Sequence, residues 1–328
     1  VITSYPAGEE ANSGNENLET IYVEKGDVDN YFAYIKSLGY EMNRTSVAHQ
    51  DSISFAVAEK QYMEETFEKA IPNLKSYLNK FCPNGKFCST AQYYLADIYY
   101  RTEDKANALE AYNSVLSSVG SPYIEDAALH AAEIAFDQKD YDKAMVYFKK
   151  LGDFAQTTEN KNIARLGVLR TSYFLNNDAQ TISIAGEIIS DGKSTDAMRT
   201  EALLNRAKAY NRQNKLNDAL KDLKQISIET RTIIGAEAKY LTSETLFKLN
   251  KLNEAETEVL DFAKKNTPHQ YWLARSFVVL SDVYIQKGND FQAKQYLLSL
   301  QKNYTVKDNV QEMIITRLNA IAEREKSK

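Results

Sequence analysis

The sequence predicts an all-α fold, a solenoid of stacked antiparallel helix hairpins, from three observations. Glycine (12) and proline (5) are scarce in 328 residues of which 43% are hydrophobic. Such a chain has enough apolar material to fold and few residues that break a helix. An alanine recurs at Ala70, Ala108, Ala144, Ala219, Ala255 and Ala293, 36–38 residues apart except for one double-length gap of 75. Around each alanine the same short pattern of residues returns. A period of this size marks units that cannot bury an apolar face alone and must stack.

The pattern reads as a helix with a small residue and an aromatic or large apolar residue three positions on. A short polar turn follows, then an aromatic or Leu, the Ala, and a large apolar residue four later. The first clear copy has Ala58, Phe67, Ala70 and Leu74, and the second Ala96, Tyr99, Ala108 and Tyr112. Ala132, Ala135, Tyr141, Ala144 and Phe148 form the third. In the double gap, Leu166, Leu169 and Tyr173 keep the first helix, and Ile182 is expected at the alanine position. Ala207, Tyr210, Leu216, Ala219 and Leu223 come next, then Ser243, Leu246, Leu252, Ala255 and Val259, then Ser281, Tyr284, Phe291, Ala293 and Leu297. The reason for the pattern is steric. Two helix backbones approach to about 8–10 Å only where the facing side chains are small, and aromatic rings then fill the gaps between hairpins. Pro83 and Pro268 stop the chain after second helices, because proline has no N–H to continue them.

A weaker copy lies at Leu18–Leu38, with Tyr22 and with Tyr31 at the alanine position. The domain expectation is therefore a degenerate N-terminal hairpin over 1–47, seven repeats over 48–304, and a capping helix with a charged tail over 305–328. The opening Val1–Pro6 reads as the end of a helix before a proline stop, the expected cut end of a longer array. At the other end Val310, Met313, Ile314, Arg317, Leu318 and Ile321 make an i, i+3, i+4 stripe that runs into charge, as a capping helix should.

These repeats resemble the tetratricopeptide repeat family: a small residue, Tyr three later, Ala nine after that, an aromatic four further, then proline. The resemblance covers roughly Ser52 to Leu300. It departs from the family in lacking its Trp and in a period longer than the usual 34. A narrower resemblance, carried by Phe67–Pro83 and Ala91–Tyr100, is to the repeats of Gram-negative envelope proteins. The family resemblance implies a right-handed superhelix whose first helices line a concave groove.

Chemistry is sparse. The charge of 40 basic against 45 acidic residues, net −5, argues against nucleic acid. No phosphate-binding glycine loop appears. His49, His130 and His269 fall in different hairpins and form no local metal pair. No cofactor, metal or catalytic residue is expected, and the chain is not expected to be an enzyme. Cys82 and Cys88 flank one turn between hairpins and are a candidate disulfide, which would imply an oxidising compartment such as the periplasm; a cytoplasmic chain with two free thiols is the alternative. No apolar run approaches the roughly 20 residues that span a bilayer. The sequons at Asn43 and Asn303 are read as chance.

Carried over from the family, the ninth position of successive repeats reads Glu59, Asp97, Glu133, Thr171, Lys208, Glu244 and Asp282. The fifth and twelfth include Phe55, Tyr62, Tyr93, Tyr100, Phe136, Phe174, Tyr240 and Phe247. Rings beside carboxylates suit a basic or amphipathic protein segment, with rings as anchors and acids as steering charges. The family's clamp for an acidic chaperone tail needs Lys and Asn at these positions, so the acids exclude it. Lys208 and Arg212 are the local exception and could hold a carboxylate. The expected function is a scaffold in an envelope-associated assembly. Two rivals are a glycan-binding module stacking sugars on groove tyrosines, with Trp272 as thin support, and a helical toroid enzyme.

Overall fold

A computed structural model describes residues 9–38 and 46–326. Val1–Pro6 and the sequon at Asn43 fall outside them. The chain forms two compact units, the first ending at Ala164 and the second beginning at Arg165. All regular structure among the described residues is helical. The first unit contains α1 (Glu9–Lys25), α2 (Val28–Ser37), α3 (Val47–Met63), α4 (Phe67–Phe81), α5 (Cys88–Arg101), α6 (Lys105–Ser117), α7 (Ile124–Asp137) and α8 (Tyr141–Phe154), and ends within α9 (Thr158–Phe174). The second continues with α10 (Asp178–Ser190), α11 (Asp196–Arg212), α12 (Leu216–Ile226), α13 (Ile233–Lys248), α14 (Leu252–Lys264), α15 (Gln270–Gln286), α16 (Asp290–Asn303) and α17 (Asn309–Lys326). Within each unit consecutive helices pack as hairpins, and first helices of neighbouring hairpins also touch, α3 on α5 and α13 on α15. The architecture is an all-α solenoid of helix hairpins.

The small residues sit where the steric argument requires. Ala96, Ala132, Ala207, Ser243 and Ser281 are fully buried, and so are Ala70, Ala108, Ala144, Ala219, Ala255 and Ala293. Each second-helix alanine lies four residues after its N-cap, as in Asp104 to Ala108 and Asn289 to Ala293. The same rule corrects the register of α10. Its N-cap is Asn177, so the alanine position is Thr181, not Ile182. Thr181 is 0% exposed, small enough for the crossing, and its hydroxyl donates to the Asn177 carbonyl at 2.9 Å, which removes the cost of burying it. Tyr31 on α2 does occupy an alanine position, four residues after Asp27, and packs against Tyr22 and Phe32.

Every hairpin turns the same way. The residue before each second-helix N-cap is left-handed: Gly26, Glu65, Glu103, Lys139, Asn176, Asn214, Asn250 and Gly288 have φ between 55° and 77°. In several hairpins the N-cap side chain then accepts an N–H three residues on, as Asp104 does from Asn107 and Asp140 from Lys143.

Between α4 and α5 the chain turns through 82–88, where Cys82 and Cys88 are joined as a disulfide with Cα atoms 5.6 Å apart. The turn is tied down from α3 as well. Buried Asp51 accepts the Tyr77 hydroxyl and, at 2.9 Å, the Lys86 N–H, while the Phe87 N–H donates to the Tyr77 oxygen at 3.0 Å. Gly85 is needed because a Cβ there would meet Phe81 at 2.8 Å and Tyr77 at 2.9 Å.

Candidate functional site

In the first unit, α3, α5 and α7 present a ladder of rings whose hydroxyls meet carboxylates. Phe87 stacks on Phe55 (4.4 Å between centroids), Phe55 lies 6.1 Å from Tyr94, and Tyr94 stacks on Tyr62 at 4.0 Å. Tyr93 and Tyr123 form a parallel pair at 4.3 Å, and Tyr100 packs on His130 at 4.3 Å. Tyr94 donates to Glu59 (3.1 Å), Tyr62 to Asp97 (2.8 Å) and Tyr100 to Glu133 (3.1 Å). Each bond joins first helices of neighbouring hairpins, so the acids brace the stack as well as facing outward.

Glu133 keeps its charge. The hydrogen bond from His130 at 3.1 Å holds Glu133 below the usual carboxylate range despite its burial. Arg101 lies 3.8 Å from Asp97 but is also committed to Glu65. No other Lys or Arg among the described residues pairs with Glu59, Asp97 or Glu133. Burial, then the bond to Glu59, pushes the Tyr94 hydroxyl up to about 12. Burial, then the charges of Asp126 and Asp97, does the same for Tyr93, to about 12. The surface is therefore anionic, with neutral rings between its charges.

The second unit differs. Glu244 accepts from Tyr240 (2.5 Å) and from Lys248 (2.9 Å), and Asp282 is held by both arms of Arg317 at 2.7 Å. Lys208 pairs with Glu237 at 2.6 Å and Arg212 with Asp178 at 2.7 Å, so these two cations already hold carboxylates of the chain itself. Two open cavities lie on this face. One, of about 290 Å³, is lined by residues that include Tyr173, Lys208, Asn211, Trp272 and Arg275. The other, of about 280 Å³, is lined by Phe247, Val279, Arg275 and Asp282 among others.

The structure thus brings Glu59, Tyr62, Tyr93, Asp97, Tyr100 and Glu133 onto one face of the first unit, and places Lys208, Arg212, Glu244, Phe247 and Asp282 beside the cavities of the second. Three expected anchors are packing residues instead. Tyr240 is 3% exposed under Arg275, and Phe55 is equally buried in the ring stack. Phe136 turns edge-on to Tyr141 and Phe148 inside its own hairpin. Thr171 is buried, with its hydroxyl on the Gly167 carbonyl. One face each of Tyr62, Tyr93 and Tyr240 is covered, by Tyr94, Tyr123 and Arg275 respectively. Sequence spacing missed Tyr94 and His130, although each lies three residues before a ninth-position acid and so shares its helix face. It also missed Arg275, at the second position of its repeat.

Among the described residues no helix is long and apolar enough to cross a membrane, and no cluster of three His, Cys, Asp or Glu side chains could hold a metal. No curated protein matches the chain in sequence. Among solved structures, the apo form of RapI superposes with a TM-score of 0.52 at 12% identity, covering 95% of this chain and 98% of its own, a likeness of fold alone. A tetratricopeptide repeat protein from Parabacteroides merdae is similar over 82% of this chain and 99% of its own (15% identity, TM-score 0.43). PilW, a type IV pilus biogenesis factor, is similar over 69% and 98% (20% identity, TM-score 0.47). The tetratricopeptide repeat family itself matches residues 61–123 and 126–153, where the hairpins built on Ala70, Ala108 and Ala144 lie. The pattern of small crossing residues, repeated turns and stacked hairpins agrees with those family matches: residues 61–123 and 126–153 carry tetratricopeptide repeats.

Proposed function

We propose that this chain is a non-catalytic scaffold whose first unit binds a basic or amphipathic protein segment on the face built by α3, α5 and α7. Repeats of this family serve protein interaction and are generally non-catalytic. The observation that carries the finer reading is the set of uncompensated carboxylates. Glu59, Asp97 and Glu133 are oriented by tyrosine hydroxyls, and of the lysines and arginines among the described residues only Arg101 approaches them, while His130 bonds Glu133. Fixed acids steer a cationic partner, and the half-buried rings of Tyr62, Tyr93 and Tyr100 offer it apolar contact. The Cys82–Cys88 disulfide supports an oxidising compartment, and an envelope-associated assembly is the reading that follows.

The test uses the full chain and two fluorescent amphipathic helical peptides of equal length, one of Leu and Lys, the other of Leu and Glu. The lysine peptide is expected to bind, more weakly as salt rises. The triple variant Glu59→Gln, Asp97→Asn, Glu133→Gln keeps each tyrosine's acceptor and is expected to bind it at least about tenfold more weakly. Equal affinity of parent and triple variant, or preference for the glutamate peptide, would overturn the reading.

A further inference from the structure

In the second unit α12, α14 and α16 run to one edge, and α13, α15 and α17 run back from it. The connections 227–232, 265–269 and 304–308 therefore lie side by side along that edge. Bonds between them hold the arrangement. The Thr267 hydroxyl donates to the Thr230 carbonyl at 2.7 Å, the His269 ring to the Arg231 carbonyl at 2.9 Å, and Lys265 to the Ile228 carbonyl at 3.4 Å. Tyr271, near the start of α15, donates to Asn309 at the start of α17 at 3.2 Å. Gly235 lets the first connection fold back onto α13, where a Cβ would meet the Glu229 carbonyl at 2.0 Å.

Two kinds of side chain collect on this braced edge. Ile228, Ile233 and Val306 are 71%, 61% and 54% exposed. Scattered singly, such residues would need no explanation, but here they alternate with cations. Most basic residues of the unit are paired, as Arg206 is with Asp222, Lys239 with Glu258 and Arg324 with Asp290. Arg231, Lys264, Lys302 and Lys307 are exposed on the connections and at the ends of α14 and α16, and no carboxylate among the described residues pairs with them. With Lys265 the stretches 227–233, 264–270 and 302–309 hold five cations against two acids, in a chain of net charge −5. Both acids are engaged. Glu229 accepts the Arg231 N–H at 3.1 Å, and Asp308 accepts the Tyr304 hydroxyl at 2.5 Å and the Val310 N–H at 2.9 Å.

The same edge opens into an apolar slot of about 240 Å³ between α15 and α16. Leu273, Phe277, Tyr296 and Leu300 line it, and its outer end is marked by Gln270 and Asn303, the first residue of α15 and the last of α16. Such walls accept a hydrocarbon chain and repel a charged group. A nucleic acid would use the cations and leave the aliphatic side chains and the slot idle. An anionic bilayer uses all three: its headgroups meet the cations, and its acyl boundary meets the aliphatic side chains.

We propose that this edge of the second unit docks on a lipid surface that carries anionic headgroups. The proposal is independent of the acidic face of the first unit.

The full chain is cosedimented with vesicles of phosphatidylcholine alone and of one part phosphatidylglycerol to two parts phosphatidylcholine. Binding is expected to the anionic vesicles, to weaken as salt rises, and to be far weaker to phosphatidylcholine alone. Arg231→Gln, Lys264→Gln, Lys302→Gln and Lys307→Gln together are expected to weaken it at least about tenfold. Ile228→Ser, Ile233→Ser and Val306→Ser together, at unchanged charge, are expected to weaken it at least about threefold. All seven side chains are exposed, so both variants should melt as the parent does and still bind the lysine peptide. No binding to the anionic vesicles, equal binding to phosphatidylcholine alone, or full retention in either variant would overturn the proposal. So would binding to single-stranded RNA that the serine variant leaves intact, which would assign the cations to a nucleic acid.

Discussion

Thr181 shows how little separates a legible residue from a misread one. The period of the alanines points into α10, but a neighbouring isoleucine is the more conspicuous residue, and a slip of one residue turns the wrong side chain toward the crossing. What decides the register is the cap: Asn177 takes the Gln180 N–H at 3.2 Å, and Thr181 follows four residues later with no exposed surface. Thr181→Ile should overpack that crossing and cost about 1–3 kcal/mol, whereas Ile182→Thr, at a half-buried position, should cost less. Urea melts of the two variants decide it, and the reverse order would return the register to Ile182. The groove was partly legible for the same reason. Acids at the ninth position can be read from spacing, but the partners that fix their meaning cannot, because Tyr62 and Asp97, or Asp282 and Arg317, lie 35 residues apart and meet only when hairpins stack.

At the scale of the element, the hairpin turn is the most uniform feature of the chain. Eight residues before second-helix N-caps share a positive φ. Glycine and asparagine at five of these positions announce the turn, since they enter the left-handed region at low cost. Glu65, Glu103 and Lys139 do not, and the tertiary fold holds them there. Lys139, at φ 61°, should therefore be improved by glycine, with Lys139→Gly gaining roughly 0.5 kcal/mol or more. Asn250→Ala should lose about 1 kcal/mol. Thermal melts would show opposite shifts, and a loss in Lys139→Gly would mean that the lysine side chain contributes more than the turn strain costs.

For the whole molecule, the excess of 22 tyrosines sets an alkaline limit on stability. Tyr93 and Tyr94 are raised to about 12 in the fold against an ordinary value near 10. A group raised on folding contributes stability that is complete below its unfolded value and disappears as pH climbs through its folded one. The melting temperature should therefore hold to about pH 10 and fall between about 10 and 12, with tyrosinate absorbance lagging behind that of free tyrosine. Acid acts through the opposite set. Glu133, Glu256 and Asp261 are depressed by hydrogen bonds from His130, Lys287 and Lys239 respectively. Their contribution is complete above the ordinary carboxylate range near 4 and disappears below it. A melting temperature that stays level from pH 10 to 12 would show that the ladder hydroxyls ionise as freely as in the unfolded chain.

The turn at 82–88 has a further consequence for how the chain survives proteases. Lys86 is exposed there, one residue before Phe87, so trypsin has a cleavage site on the surface. Its backbone N–H is held by Asp51, and the cut would fall inside the ring closed by Cys82 and Cys88. The two pieces of a nicked chain would stay linked by sulfur, and α4 and α5 would remain packed on each other. Damage at this point would be invisible on a non-reducing gel and would separate into two bands only after a thiol is added.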